Sequence, residues 1–221
     1  MEYHTVLFGG GKYRVMTNAL KRSIDANSEH SLTIHEITDK PGPGRIKLTT
    51  NSLKLKKWNE IVQEATDNVV LMDCDTILLK CISHVFEKDF DFAYTERTKG
   101  GHFPLNGCVV FVKPTKKSKE FFNEWLRVND KMMDNFNFHR PWKKKYAGIN
   151  QAALGYLLER KPELNILKVP CSKYNACDPV DWEDVSDAHV LHIKSDLQNQ
   201  CFAKEPTRLK DAVSEWNKYN K

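Results

Sequence analysis

Two aspartates, one residue apart, follow an apolar run in the first third of the chain. The run covers residues 69–72, and Asp73 and Asp75 come directly after it. Four apolar residues without a charge predict a strand that is buried on both faces, as in parallel sheets. Acids at its carboxyl end would lie in the crevice where open α/β sheets bind ligands. Two carboxylates that face one point indicate a site for Mg²⁺ or Mn²⁺ that also carries the phosphates of a substrate.

The same motif also has a structural interpretation. Aspartate is common after strands, in turns and at helix caps, so an isolated Asp-x-Asp motif is weak evidence for a metal site. Here the motif follows a buried strand, and further strand-like runs lie on both sides of it. Two like charges buried side by side are unfavourable without a cation. The context therefore favours the metal site.

Strand-like and helix-like segments alternate along the chain. This alternation predicts an α/β fold with a mixed, mainly parallel sheet flanked by helices. The expected strands are residues 4–8, 32–37, 69–72, 91–95, 107–113, 166–169 and 189–193, and the expected helices are 13–27, 51–65, 116–131, 147–160 and about the last 15 residues. Residues 132–145 fit no clear period, and we expect them to form a lid or an acceptor-facing loop.

The composition is that of an ordinary globular domain. The chain has 221 residues, of which 29% are charged and 40% hydrophobic, and this length suits a single domain. No apolar stretch approaches the roughly 20 residues that span a bilayer, and no secretory signal is evident, so we expect a cytoplasmic protein. The six cysteines form no zinc-like cluster, and most are expected to be buried thiols.

Three classes of α/β enzyme carry paired aspartates at a strand end. In a haloacid-dehalogenase-like phosphatase, Asp73 would attack phosphorus and Asp75 would be the general acid. That class normally carries the motif on its first core strand, whereas two strand–helix units precede it here. A sugar nucleotidyltransferase would use the glycines after Phe8 as a phosphate loop, but Tyr13 and Arg14 stand where that class has Thr-Arg or a close equivalent.

The third class fits the order of the segments best. The chain resembles the GT-A fold glycosyltransferases, which transfer a sugar from a nucleotide diphosphate, and in particular the glycogenin-like branch, glycosyltransferase family eight. The resemblance covers most of the chain. Its four segments are Leu71-Met72-Asp73-Cys74-Asp75, then Asn106-Gly107-Cys108-Val109, which is similar to the family's Asn-Ser-Gly-Val, then Asn150-Gln151, which is similar to its Asp-Gln, and His189-Val190-Leu191-His192-Ile193-Lys194, which is similar to its late histidine motif.

The resemblance implies a split metal site. Asp75 would be the principal ligand, Asp73 a second ligand that also reaches the ribose, and His192 a third ligand. A neutral imidazole suits Mn²⁺ better than Mg²⁺. From the residues alone, His192 would be interpreted as a core histidine. Lys194 would contact the leaving diphosphate as a point charge, and the cation would neutralise charge as the nucleoside diphosphate leaves.

The donor nucleotide is expected at the end of the first strand. Backbone contacts and stacking there would hold the base and ribose, and residues 99–102 with the start of the fifth strand would border the sugar. The predicted donor site is Phe8, Gly9, Gly10, Tyr13, Lys54, Asp73, Asn106, Gly107 and Lys194. Tyr13 could equally pack a helix, and Lys54 could equally be a solvated lysine. Residues 1–75 would form the nucleotide-binding half, and 76–221 the acceptor-binding half.

The residue types at the positions that match the family's catalytic segment favour one stereochemical outcome. Because Asn150 stands where the family commonly has aspartate, one possible nucleophile is missing, which favours retention with Asn150 and Gln151 positioning the sugar. Asp130 would be a candidate base if residues 132–145 fold over the site.

The expected partners are a UDP- or GDP-sugar and a glycan or other hydroxyl acceptor. Phe138 and Trp142, interleaved with Arg140 and residues 143–145, could stack on a sugar or bind a lipid phosphate, so peripheral membrane contact is possible. No nucleic-acid-binding motif accompanies them. A sugar-nucleotide-binding module without turnover is a further alternative.

Overall fold

The computed structural model of the chain describes residues 1–38, 46–97 and 103–220. The expected turn at 39–45 and loop at 99–102 lie outside these residues. The strands are β1 (Glu2–Phe8), β2 (Leu32–Ile37), β3 (Val69–Asp73), β4 (Thr76–Leu78), β5 (Phe92–Glu96), β6 (Leu105–Val112), β7 (Ile166–Pro170) and β8 (Val190–His192). The helices are α1 (Lys12–Asn27), α2 (Ile46–Glu64), α3 (Lys116–Asp134), α4 (Phe136–Tyr146), α5 (Asn150–Leu158), α6 (Cys171–Tyr174), α7 (Pro179–Glu183), α8 (Ser195–Cys201) and α9 (Lys210–Tyr219).

Six of these strands form one sheet in the order β2-β1-β3-β6-β5-β7. The β1–β2, β1–β3 and β5–β7 pairs are parallel, whereas β6 is antiparallel to both of its neighbours. The predicted mixed, mainly parallel α/β fold is therefore confirmed. Because β6 alone runs in the opposite direction, it begins at the edge where the other five strands end. This reversal brings the start of β6 beside the end of β3.

Both faces of the sheet are covered, which explains the unbroken apolar run in β3. Val69 and Leu71 pack into one core cluster together with Trp58 of α2 and Trp125 of α3. Residues 70 and 72, which point the other way, pack into a second cluster on the opposite face. Successive side chains of a strand point to opposite faces, so a strand covered on both sides requires apolar residues at every position.

The lid expected at residues 132–145 is a helical hairpin. Helix α3 continues to Asp134, and α4 begins after Asn135, whose side-chain oxygen accepts a hydrogen bond from the Phe138 backbone N–H at 3.0 Å. Phe138 and Trp142, four residues apart, pack edge-on against Tyr156 of α5 with ring centroids 5.1 and 5.0 Å apart. The expectation was wrong because exposed Asn and Lys residues obscure this apolar stripe.

A short second sheet, which the sequence analysis did not predict, completes the fold. Strand β4 follows the aspartates and pairs antiparallel with β8, so that Thr76 lies opposite His192. The Ile193 backbone N–H also donates to the Asp75 carbonyl at 2.7 Å. This pairing carries a residue from late in the chain to the end of β3. None of the helices in the described segments combines the length and apolar character needed to cross a bilayer.

Candidate functional site

A cavity of about 500 Å³ lies at the carboxyl ends of β1 and β3. Gly9, with a φ of 71°, turns the chain from β1 toward α1 at its rim. Half of the Tyr13 side chain is exposed there. The lining residues are Val6, Phe8, Gly9, Tyr13, Thr50, Asn51, Lys54, Asp73, Cys74 and Asp75. Most of the residues predicted to bind the base, the ribose and the cation thus meet in one concave site.

Asp73 is paired with a lysine at the bottom of this cavity. The Lys54 Nζ donates to Asp73 Oδ1 at 2.5 Å, and both side chains are largely buried. The Lys54 ammonium also lies over the Trp58 ring, 4.6 Å from its centroid. Burial favours the neutral amine, but the charge and hydrogen bond of Asp73, together with the nearby Cys108 and Asp75, outweigh it and raise the pKa of Lys54 above its ordinary value. Asp73 is therefore neutralised by an ammonium group of the protein itself.

Asp75 faces His192 across the end of β4. The His192 Nε2 and Asp75 Oδ1 atoms are 3.3 Å apart, and the imidazole is almost completely buried. Burial favours a protonated carboxyl group, but the adjacent His192 outweighs that effect, and the pKa of Asp75 lies below its ordinary value. The contact therefore favours an ionised Asp75.

A buried relay of hydrogen bonds determines which nitrogen of His192 carries a proton. Thr95 Oγ1 donates to the Asn106 carbonyl at 2.6 Å, so this hydroxyl accepts from Asn175 Nδ2 at 3.0 Å. Asn175 Oδ1 then faces His192 Nδ1 at 3.1 Å and accepts a hydrogen bond from the Nδ1–H group. In the neutral imidazole, Nε2 consequently keeps its lone pair and points it at Asp75.

This arrangement fits a divalent cation. A lone pair and a carboxylate oxygen facing each other at 3.3 Å attract each other only through a proton or a cation between them. Oxygens of Asp73, the Cys108 sulfur and a ring nitrogen of His192 also lie within 4.8 Å of one another. Carboxylate and imidazole ligands together suit Mn²⁺, and carboxylates also suit Mg²⁺. Asp73 and His192 thus belong to one group of candidate ligands, whereas Asp75 contacts His192 but is not a member of that group of three.

The residues predicted at the start of β6 and α5 meet each other just beyond the cavity. The Gly107 N–H donates to Gln151 Oε1 at 3.2 Å, and Gln151 Nε2 donates to the Tyr146 carbonyl. Asn150 is mostly buried, and its Oδ1 accepts from the Gln151 N–H at 2.9 Å. The Asn106 amide contacts Cys177 through Nδ2 and the Cys108 N–H through Oδ1. These amides therefore hold one another in place.

Three other predicted residues, Gly10, Asp130 and Lys194, are not among the described residues that line the cavity. Asp130 is exposed on α3, and Lys194 is half-buried directly before α8. The segment expected to fold over the site and make Asp130 a base contains α4 at residues 136–146.

Three residues of the site were not predicted from the sequence. Cys108 belongs to a quoted motif but was assigned no role, and Thr95 and Asn175 were not singled out. Asn175 follows the four-residue helix α6, which has no periodic signal. The β5–β6 register places Tyr94 opposite Val110 and the next residue, Thr95, opposite Asn106. No local sequence signal marks that irregularity.

Comparison with known proteins agrees with this geometry. The profile of the nucleotide-diphospho-sugar transferase family matches residues 49–196, which is more than half of the chain. That match contains the acid pair, the start of β6, the amide pair and His192. No curated protein sequence matches the chain.

Solved structures with low sequence identity share the fold. A glycosyltransferase involved in glycosylation of the major capsid of PBCV-1 superposes with a TM-score of 0.62 at 13% identity, covering 98% of this chain and 100% of that one. The glycosyltransferase GlyE of Streptococcus pneumoniae TIGR4 gives 0.64 at 15% identity, over 99% and 60% of the two chains. The galactosyltransferase LgtC, bound to donor and acceptor sugar analogs, gives 0.60 at 11% identity, over 100% and 97%.

Proposed function

This chain belongs to the nucleotide-diphospho-sugar transferase family and is a glycosyltransferase, and we propose that it uses a divalent cation to move a sugar from a UDP- or GDP-sugar to a hydroxyl acceptor. The observation that supports the cation most strongly is the convergence of an Asp73 oxygen, the Cys108 sulfur and a His192 ring nitrogen within 4.8 Å of one another, with Asp75 Oδ1 3.3 Å from His192 Nε2.

Asp73, Asp75 and His192 would hold the cation, with Mn²⁺ or Mg²⁺ as the candidates. When bound, such a cation supplies Lewis-acid stabilisation of the charge that develops on the departing diphosphate. Lys54 neutralises Asp73 in its absence. We infer that the ammonium shifts from Asp73 to a phosphate oxygen when donor and cation enter, because it then retains an anionic partner.

The donor would lie along the end of β1. The cavity volume of about 500 Å³ falls within the range of small-molecule sites, which is about 300 to 1,000 Å³. Phe8 and Gly9 offer backbone groups for the base and ribose, and the half-exposed ring of Tyr13 offers a stacking surface. Gly10, Asn106, Gly107 and Lys194 stay predictions, as does the division into a nucleotide-binding half, 1–75, and an acceptor-binding half, 76–221.

Retention of configuration is the proposed stereochemistry. Asn150 and Gln151 offer amides rather than a carboxylate, and the contact of Gln151 with Gly107 connects them to the start of β6. Their role in the proposal is to position the sugar. Asp130 stays a candidate base. A glycan acceptor, peripheral membrane contact through the basic residues of α4 and a cytoplasmic location are further predictions.

The experiment is a panel of UDP- and GDP-sugars tested for cation-dependent thermal stabilisation. A ligand that binds only the folded protein raises its apparent stability, so the correct donor with Mn²⁺ should raise the melting temperature. Asp75→Ala should lose this shift, whereas Asp25→Ala, which removes an exposed carboxylate from α1, should keep it. Nucleotide stabilisation that is unchanged in Asp75→Ala would refute the cation site.

The products separate this proposal from the phosphatase alternative. With the correct donor and Mn²⁺, the transferase should slowly release free sugar and nucleoside diphosphate even without an acceptor. A phosphatase with Asp73 as nucleophile would instead release inorganic phosphate from phosphate monoesters. Chromatography of the nucleotide products and a phosphate assay distinguish the two.

A further inference from the structure

We propose that Cys108 is an additional ligand of the cation, beside Asp73 and His192, and that its thiolate makes the site selective for thiophilic divalent ions. This inference rests on the proposed cation site and specifies its chemistry. The ions favoured would be Zn²⁺, Co²⁺ and Cd²⁺ over Mg²⁺, because a soft sulfur ligand binds soft and borderline cations better than hard ones.

The strand register places Cys108 opposite Asp73. Strands β3 and β6 are antiparallel, and their last pair joins Met72 to Val109, so the same register extended by one residue sets Asp73 opposite Cys108. Residues directly opposite on one face of an antiparallel pair have Cβ atoms about 4.5 to 5.5 Å apart. The thiol and the carboxylate therefore leave the sheet side by side and on the same face.

On the side of β6 that faces β5, the regular strand pairing is interrupted at Cys108. Tyr94 of β5 pairs with Val110, and Thr95 pairs with Asn106, so residues 107–109 have no partners in the β5 register. Irregularities of this kind are common next to functional sites, where they redirect a side chain. This irregularity allows the Cys108 side chain to face the site.

The atoms of the cluster are close enough to share one ion. The Cys108 Sγ, an Asp73 oxygen and a His192 ring nitrogen all lie within 4.8 Å of one another. Ligands of one ion, each about 2.0 to 2.3 Å from it, are separated by up to about 4.6 Å, so the cluster is close to the size that one ion requires. The described residues contain no second cluster of three such ligands.

The metal-free contacts are consistent with this role. The Cys108 Sγ lies within 4.8 Å of an Asp73 oxygen, so the thiol is already beside a proposed ligand of the cation. When the ion binds, the thiol proton passes to water and a sulfur lone pair forms the bond to the metal. No oxidation or reduction takes place. Cys74, between the two acids in the chain, is not a member of this group of three.

Cobalt provides a spectroscopic test that does not depend on activity. Co²⁺ bound by a thiolate has an intense sulfur-to-metal charge-transfer band in the near ultraviolet, whereas Co²⁺ bound by oxygen and nitrogen alone lacks it. We expect this band to saturate at one Co²⁺ per chain in the wild type. Cys108→Ser should lose it, and Cys74→Ser, the matched half-buried cysteine at the same strand end, should keep it.

Calorimetry gives a second measurement on the same variants. The ratio of Zn²⁺ to Mg²⁺ affinity should fall by about tenfold or more in Cys108→Ser and should be unchanged in Cys74→Ser. Circular dichroism checks that each variant is folded, and Cys108→Ala replaces the serine variant if that one does not fold.

The outcomes separate this inference from the proposed function. Co²⁺ that binds the wild type without the band, or a band that persists in Cys108→Ser, would overturn the Cys108 assignment and leave the cation site intact. Failure of the wild type to bind any divalent ion, with or without nucleotide, would overturn both.

Discussion

Replacing Asn175 by alanine should weaken cation binding although Asn175 is not itself a proposed ligand. Its side chain is completely buried, accepts from His192 Nδ1 at 3.1 Å and donates to Thr95 Oγ1 at 3.0 Å. Without the Oδ1 acceptor, the neutral tautomer of His192 with its proton on Nε2 becomes the more stable one, because Nε2–H can donate a hydrogen bond to Asp75. The lone pair that would bind the cation is then lost, because one ring nitrogen of neutral histidine carries the proton.

The magnitude follows from the contacts removed. Two hydrogen bonds are lost, each contributing about 1 kcal/mol, and buried groups left without partners cost about 1 to 3 kcal/mol more. The free energy of unfolding should therefore fall by about 3 to 5 kcal/mol. Removing the residue that orients a ligating histidine typically weakens metal binding by about 10- to 100-fold, which is about 1.4 to 2.8 kcal/mol.

The assay combines affinity with a direct observation of the tautomer. Calorimetry gives the Mn²⁺ dissociation constant, and ¹⁵N NMR of the histidine side chains should identify a proton on Nδ1 of His192 in the wild type and on Nε2 in Asn175→Ala. The matched control is Asn27→Ala, which loses hydrogen bonds to Ser23, Leu78 and Tyr219 away from the site. It should lose stability without losing cation affinity.

One result would refute the reasoning. If Asn175→Ala is folded and binds Mn²⁺ as tightly as the wild type, or if the His192 tautomer does not change, the relay does not prepare the ligand. A loss of affinity equal to that of Asn27→Ala would indicate that general destabilisation, and not the tautomer, is responsible.

Two further predictions concern the charges around the site. Without nucleotide, Lys54→Met should bind Mn²⁺ more tightly than the wild type, because the ammonium no longer competes for Asp73. The same variant should bind nucleoside diphosphate more weakly. Calorimetry of both ligands measures these affinities, with Lys57→Met on the same helix as the control, and weaker Mn²⁺ binding by Lys54→Met would contradict the prediction. The second prediction concerns pH. A hydrogen bond from Cys171, followed by the nearby positive charges of His192, Lys194 and Arg97, lowers the pKa of Cys177 below its ordinary value. Since the folded pKa is the lower one, this thiolate contributes stability that is fully present above the unfolded pKa and is lost as pH falls through the folded pKa. In urea unfolding, the free energy of unfolding of the wild type should accordingly rise with pH between the folded pKa of about 5 and the ordinary value of 9.0. The free energy of unfolding of Cys177→Ser should rise less over the same pH range. Equal slopes of this free energy against pH in the two proteins would contradict the prediction.

The sequence alone predicted the elements with a strong local pattern. The apolar run before Asp73 predicted a strand buried on both sides, because a residue inside a covered sheet must be apolar whichever face it points to. The segments of β1, β2 and α1 were likewise predicted within a few residues of their bounds. Prediction failed for α4, whose short apolar stripe is interrupted by polar residues, and for the three-residue strand β4.

The tertiary structure decided which side chains meet. Nothing local to Asp73 indicates that Lys54 neutralises it, that Cys108 lies opposite it, or that Asn175 orients the histidine beside it. These contacts depend on the order of the strands and on the single reversed strand β6, which join parts of the chain that are distant in sequence. Local periodicity constrains the backbone of each element and the face it buries, but the neighbours of that element follow from packing the whole sheet. The sequence therefore determined that a pair of carboxylates ends a buried strand, and only the fold decided which groups surround them.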